Sequence, residues 1–144
     1  MNLMKILLAV DGSKNSLDTV QCLVDHTDWY REKPGVELVT VQQHLPQIPG
    51  LASLGKGQID KFYQEQGDAK LAGAKQKLDA AGIGYQPRVL VGPPAETIVK
   101  HAKASGCDMI MLGSRGATGM AGALLGSTAN KVLHISPIPV LLVK

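Results

Sequence analysis

Short apolar runs alternate with segments whose apolar positions recur every three to four residues, and the alternation is kept up along the whole chain. Lys5 to Val10 is a near-continuous apolar run, the pattern of a strand buried on both faces. Asp11-Gly12-Ser13 ends it with turn residues, and Asp11 or Ser13 can cap the helix that follows. Leu17, Val20, Leu23, Val24 and Thr27 mark that helix. Pro34-Gly35 breaks the chain before a second strand, Val36 to Gln42. A loop rich in proline and glycine covers 44–57. The spacing then predicts a long helix from Gln58 to Ala81, with Ile59, Phe62, Tyr63, Leu71, Ala74, Leu78 and Ala81 on one face. Gly82 and Gly84 stop it. The third strand, Tyr85 to Val91, contains Pro87, which cannot donate to a ladder, so it is predicted at a sheet edge. Gly92-Pro93-Pro94 turns into a helix from Ala95 to Ala104, ended by Gly106. Asp108 to Leu112 is a fourth strand, Ser127 to His134 a fourth helix, and Val140 to Val143 a last strand.

Strands and helices alternate throughout. This predicts one α/β domain over residues 1–144, an open parallel sheet with helices on both faces. In such sheets ligands sit beyond the carboxyl ends of the strands, where the winding reverses. Two polar, glycine-bearing turns follow strand ends, Asp11-Gly12-Ser13 and the segment from Gly113. If both serve one site, the first and fourth strands are neighbours.

Composition narrows the class. Of 144 residues, 44% are hydrophobic and 19% charged, which fits a packed globule. Only Trp29, Tyr30, Phe62, Tyr63 and Tyr85 are aromatic, so the core must be aliphatic. The net charge of +3 comes from scattered basic residues, without the basic stripe or stacking aromatics of a nucleic-acid binder. No apolar run reaches the roughly 18 residues of a membrane span. Met1 to Val10 reads as a strand and not as a signal peptide. Cys22 and Cys107 lie on apolar-periodic segments and are expected as free thiols, which suits a cytoplasmic location.

The chemistry lies in the segment after the fourth strand. Gly113, Gly116 and Gly126-Ser127 give the spacing Gly-x2-Gly-x9-Gly-Ser, between a buried strand and a helix start. Glycines let backbone amides approach a polyanion, and a helix N-terminus adds unpaired N–H donors and a partial positive charge. A Cβ at Gly113 or Gly116 would stand where a ribose or phosphate oxygen belongs. The hydroxyls and amides of Ser127 and Thr128 can donate to outer phosphates. An ordinary surface loop is the plainer alternative. Asp11 can accept from ribose hydroxyls, help hold Mg²⁺ among phosphates, or simply cap a turn. Gly50-Leu-Ala-Ser-Leu-Gly55-Lys56-Gly57 nearly matches a P-loop, but Gly57 stands where a Mg²⁺-binding hydroxyl is needed. His26, His44, His101 and His134 show no metal-ligand spacing and are expected on the surface. Lys70, Lys75 and Lys77 are expected on a solvated helix face. No nucleophile with a nearby base stands out.

With Lys5 to Ser13, Val89 to Pro93, Asp108 to Gly116, Leu125-Gly126-Ser127 and Pro139 to Val143, the chain resembles the universal stress proteins, in the branch that binds ATP. The resemblance implies a sheet order of 3-2-1-4-5, with ATP between the first and fourth strands. It implies that Ala9, Val10 and Asp11 line the base and ribose end and that Val41 contacts adenine. Leu112, Gly113 and Gly116 would hold ribose and inner phosphates, and Gly126, Ser127 and Thr128 the outer ones. Arg115 is placed to reach a phosphate or to remain a solvated loop residue. Mg²⁺ would accompany the phosphates. The resemblance also implies a homodimer through Val140 to Val143, and a nucleotide-dependent stress or signalling role with at most slow hydrolysis. Two rivals stand beside it: a transferase or hydrolase on the same fold, with a base drawn from His44 or the 44–57 loop, and a non-nucleotide interaction module.

Overall fold

The structure, a computed structural model, describes residues 3–44, 55–115 and 125–144. Strand β1 (Lys5–Ala9) leads into α1 (Lys14–Asp25), a 3-10 turn (Thr27–Trp29) and β2 (Gly35–Gln42). Then come α2 (Lys56–Ala80), β3 (Tyr85–Val91), α3 (Pro94–Ala104), β4 (Met109–Gly113), α4 (Ser127–Ile135) and β5 (Val140–Val143). The strands form one sheet in the order β3-β2-β1-β4-β5, and every pairing is parallel. The sequence expectation of an open five-stranded α/β sheet is therefore met. Pro87 does lie in an edge strand.

Parallel strands buried on both faces need two cores, and the alternation of side chains supplies them. Ile6, Leu8, Val36, Leu38 and Met111 pack against Val20 and Leu23 of α1 and against Leu71 and Leu78 of α2. Leu7, Val39, Ile110 and Leu112 pack against Ile98 and Ala102 of α3 and against Val132 of α4. Among the described residues the largest fully buried side chains are Leu, Ile and Val with Met111, and none is aromatic.

Helix α1 begins where the sequence indicated. Ser13 is the N-cap, and its side chain accepts from the Ser16 amide at 3.2 Å. The helix stops earlier than Thr27, because His26 closes it with an N–H to the Leu23 carbonyl. Trp29, in the 3-10 turn, stays 60% exposed and stacks on His26 at 4.0 Å.

The predicted apolar face of α2 is buried only in its later part, through Gly67, Leu71, Ala74 and Leu78. Phe62 remains 41% exposed. The helix has 25 residues, about 37 Å at 1.5 Å per residue, and a seven-residue strand is only about 23 Å long. Its first turns therefore have little sheet to cover.

Candidate functional site

The register brings three strand ends level. Ala9 lies opposite both Val39 and Leu112, and the Val10 amide donates to the Val39 carbonyl at 2.9 Å. Beyond these carboxyl ends lies a cleft of about 540 Å³. Ala9, Val10, Asp11 and Val41 line it from β1 and β2. Leu112, Gly113 and Arg115 line it from β4 and the turn after it, and Gly126, Ser127 and Thr128 from the start of α4. These are the residues singled out from the sequence, and one cleft contains them all except Gly116, which lies outside the described residues. Val39, Val41, Pro94 and Ile98 give it an apolar wall.

Asp11 is half-buried directly after β1. Its Oδ1 accepts from the Ser13 amide at 2.9 Å and from the Ser16 hydroxyl at 2.6 Å. The Ser16 oxygen in turn accepts from the Asp11 amide at 2.9 Å. Burial pushes the carboxyl pKa up, but the hydrogen bonds from Ser13 and Ser16 outweigh it, and the net shift is downward. Asp11 is thus held as a carboxylate on the cleft. Gly12 follows with φ of 83°, a left-handed conformation that glycine adopts without strain.

Gly113 is glycine for a different reason from the one the spacing suggested. A Cβ there would collide with Oδ1 of Asn15 in α1 and come within 3.2 Å of the Thr19 hydroxyl. The constraint comes from α1 rather than from space reserved for a ligand. Asn15 occupies that space to tie loops together: its Oδ1 accepts from the Arg115 amide at 2.9 Å, and its Nδ2 donates to the Val143 carbonyl at 3.3 Å. The Arg115 side chain is exposed and has no ion-pair partner among the described residues.

Helix α4 starts with Gly126 as its N-cap, so Ser127 is the first helical residue and not the cap. Among the described residues no side chain caps this end, and its first turn holds no acidic residue. The Gly126 amide donates to the Ser114 carbonyl at 2.6 Å, and Asn130 begins the intrahelical ladder by donating to the Gly126 carbonyl at 2.9 Å. The amides of Ser127, Thr128 and Ala129 therefore have no intrahelical acceptor. They sit at the positive end of the helix dipole, on the cleft.

Sequence reasoning missed several lining residues. Lys70, assigned to a solvated face, is half-buried in the cleft, and its Nζ donates to Gln42 Oε1 at 2.8 Å. Only the packing of α2 against the end of β2 brings the two together, 28 residues apart. Lys77, expected beside it on that face, donates instead to Gln21 of α1 at 2.9 Å. His44 is exposed but also lines the cleft. Ser16 was hidden in the polar spacing of α1. The described part of the P-loop-like segment, Gly55-Lys56-Gly57, opens α2 and does not line the cleft. The described residues contain no group of three or more His, Cys, Asp or Glu side chains that could hold a metal ion. No helix among them is long and apolar enough to cross a membrane.

A sequence model of the universal stress protein family matches residues 2–144. The chain belongs to the universal stress protein family. Universal stress protein YxiE of Bacillus subtilis is 30% identical over 145 residues, covering 97% of this chain and 98% of that protein. Universal stress protein MJ0577 of Methanocaldococcus jannaschii is 35% identical over 102 residues, covering 66% of this chain and 62% of that one. The solved structure of MJ0577 superposes with a TM-score of 0.83 at 28% identity, covering 100% of this chain and 97% of its own. A universal stress protein solved in complex with cAMP superposes with a TM-score of 0.61 at 26% identity, covering 99% and 98%.

Proposed function

We propose that this universal stress protein belongs to the nucleotide-binding branch, holds ATP in the cleft between β1 and β4, and acts through its nucleotide state in a stress or signalling role. One observation carries the reading. A single cleft joins an apolar wall at the end of β2 to the N-terminus of α4, which among the described residues is uncapped and holds no acid in its first turn. An adenine ring suits the wall of Val41 and Ile98, and a polyanion suits the free amides of Ser127, Thr128 and Ala129. Between them, the Asp11 carboxylate lines the cleft and can accept from a ribose hydroxyl. The relative that was solved with cAMP supports an adenine nucleotide as the ligand class.

Mg²⁺ fits this reading as an ion carried by the phosphates. It keeps much of its water and needs few protein ligands when phosphates supply the rest. The Ser127 and Thr128 hydroxyls are the oxygens on offer at that end, and Asp11 Oδ1 is already engaged. The bound ion would neutralise phosphate charge. The hydrogen bonds from Ser13 and Ser16 hold the Asp11 pKa low, which makes it a weak base toward water, so any hydrolysis would be slow. The edge strand β5 is proposed as the seam of a homodimer. The two free thiols suit the reducing cytoplasm.

Calorimetric titration with ATP and Mg²⁺, with native mass spectrometry for co-purified nucleotide, tests the proposal. Ser127→Ala removes a donor to a charged group and should weaken ATP by roughly 10- to 100-fold. Gly126 has φ of −65°, which any residue adopts, so Gly126→Val should keep the fold at a cost of about 1 kcal/mol for the poorer N-cap, while its side chain on the cleft should abolish ATP binding. Gly113→Val is a poorer probe, because it breaks the Asn15 contacts. No heat and no melting shift with ATP, ADP or AMP would overturn the proposal.

A further inference from the structure

We infer that Gln42, held by Lys70, is a base-reading residue: its side-chain amide donates a hydrogen bond to a ring nitrogen of the bound purine. This rests on the proposed adenine-nucleotide site and names how that site would recognise its base. Gln42 ends β2, one residue beyond Val41, and both line the cleft. An ammonium group only donates, so the 2.8 Å contact from Lys70 Nζ obliges the Gln42 amide to turn its oxygen toward Lys70. The NH₂ group must then point the other way.

No described residue accepts from that NH₂. Gln42 is only 7% exposed, and the part of it that is not covered lines the cleft. The result is a donor on the α2 side of a cleft whose apolar wall, Val41 and Ile98, lies on the α3 side, which is how a pocket reads an aromatic heterocycle. Lys70 is itself anchored, because α2 packs its backbone against the turn at Gly12, with Lys70 Cα 3.4 Å from the position of a Gly12 Cβ. No carboxylate pairs with Lys70 among the described residues, so nothing competes for its grip on Gln42.

The acceptors of adenine are ring nitrogens, so analogues lacking one nitrogen each report the contact. The affinities of 1-deaza-, 3-deaza- and 7-deaza-ATP are compared with that of ATP by calorimetry, which cancels the shared phosphate charge. The wild-type protein should bind one of the three about tenfold more weakly than ATP, the worth of a lost hydrogen bond. Gln42→Glu keeps the shape and a partner for Lys70 but loses the donor, and should bind that analogue and ATP alike. Lys70→Met frees the amide to rotate and should shrink the discrimination without abolishing ATP binding. Equal binding of all three analogues by a wild-type protein that binds ATP overturns this inference alone, as does discrimination that survives Gln42→Glu. A wild-type protein that binds no adenine nucleotide overturns the underlying reading, and this one with it.

Discussion

Asp11 shows how a single residue at the end of a buried strand is turned from a turn former into a fixed charge. Two donors converge on one carboxylate oxygen, Ser13 from the backbone and Ser16 from the side chain. Its pKa in the folded protein lies below the ordinary value of 3.8 despite burial, which acts the other way. A group depressed on folding contributes stability above its unfolded pKa and loses it as pH falls through the folded value. Melting temperatures of the wild-type protein and Asp11→Asn should therefore differ most near neutrality and converge as pH drops below about 3.8. A gap that stays constant down to acid pH would mean that the carboxylate charge does not matter. The chemistry at Asp11 was legible as a strand-end acid. Its partner Ser16 was not, because a serine one turn into an amphipathic helix gives no sign of facing inward. Glu37 was equally hidden: a carboxylate in a strand reads as exposed, yet it is buried between Lys5 at 3.6 Å and Arg88 at 3.7 Å.

At the scale of elements, α2 carries an instructive conflict. Glycine inside a helix costs about 1 kcal/mol relative to alanine, so Gly67 appears wasteful in a 25-residue helix. The packing explains it: a Cβ there would run into both methyl groups of Val89 on β3. This contact sets how closely α2 lies on the sheet edge, and with it how Lys70, one turn later, meets Gln42. Gly67→Ala should therefore destabilise the protein by about 1–3 kcal/mol despite its better helix propensity, seen as a lower denaturant midpoint. A raised midpoint would show that propensity outweighs packing. The helices were largely legible from their periodicity and their stop signals, Gly82 and Gly106. The overrun of α2 was not, since periodicity records an apolar stripe and not how much sheet lies beneath it.

For the whole molecule, the strand order places β3 and β5 at the two edges, and they are protected differently. Pro87 interrupts the donors of β3, whereas β5 has no such device and its four residues are half-buried aliphatics. An apolar open edge invites pairing with a second chain. Sedimentation velocity should find a dimer, and Leu141→Lys, which puts a charge on that edge, should shift it toward monomer. A monomer in the wild-type protein at micromolar concentration would remove β5 as a seam. Asn15 joins the Val143 carbonyl of this strand to the Arg115 amide at the cleft, so the edge and the site share one side chain.

The amino-acid sequence by itself determined the alternation of strands and helices, the parallel sheet, and the two strand-end segments that meet in the cleft. Those features depend on local periodicity, turn chemistry and chain-wide rules of winding, all of which are written in near neighbours. Only the tertiary structure decided that Asn15 excludes a side chain at Gly113, that Gly67 seats α2, and that Lys70 orients Gln42. Each of these depends on the distance between groups 22 to 98 residues apart. Such distances are set by how layers of side chains interlock, and no pattern confined to one segment encodes them.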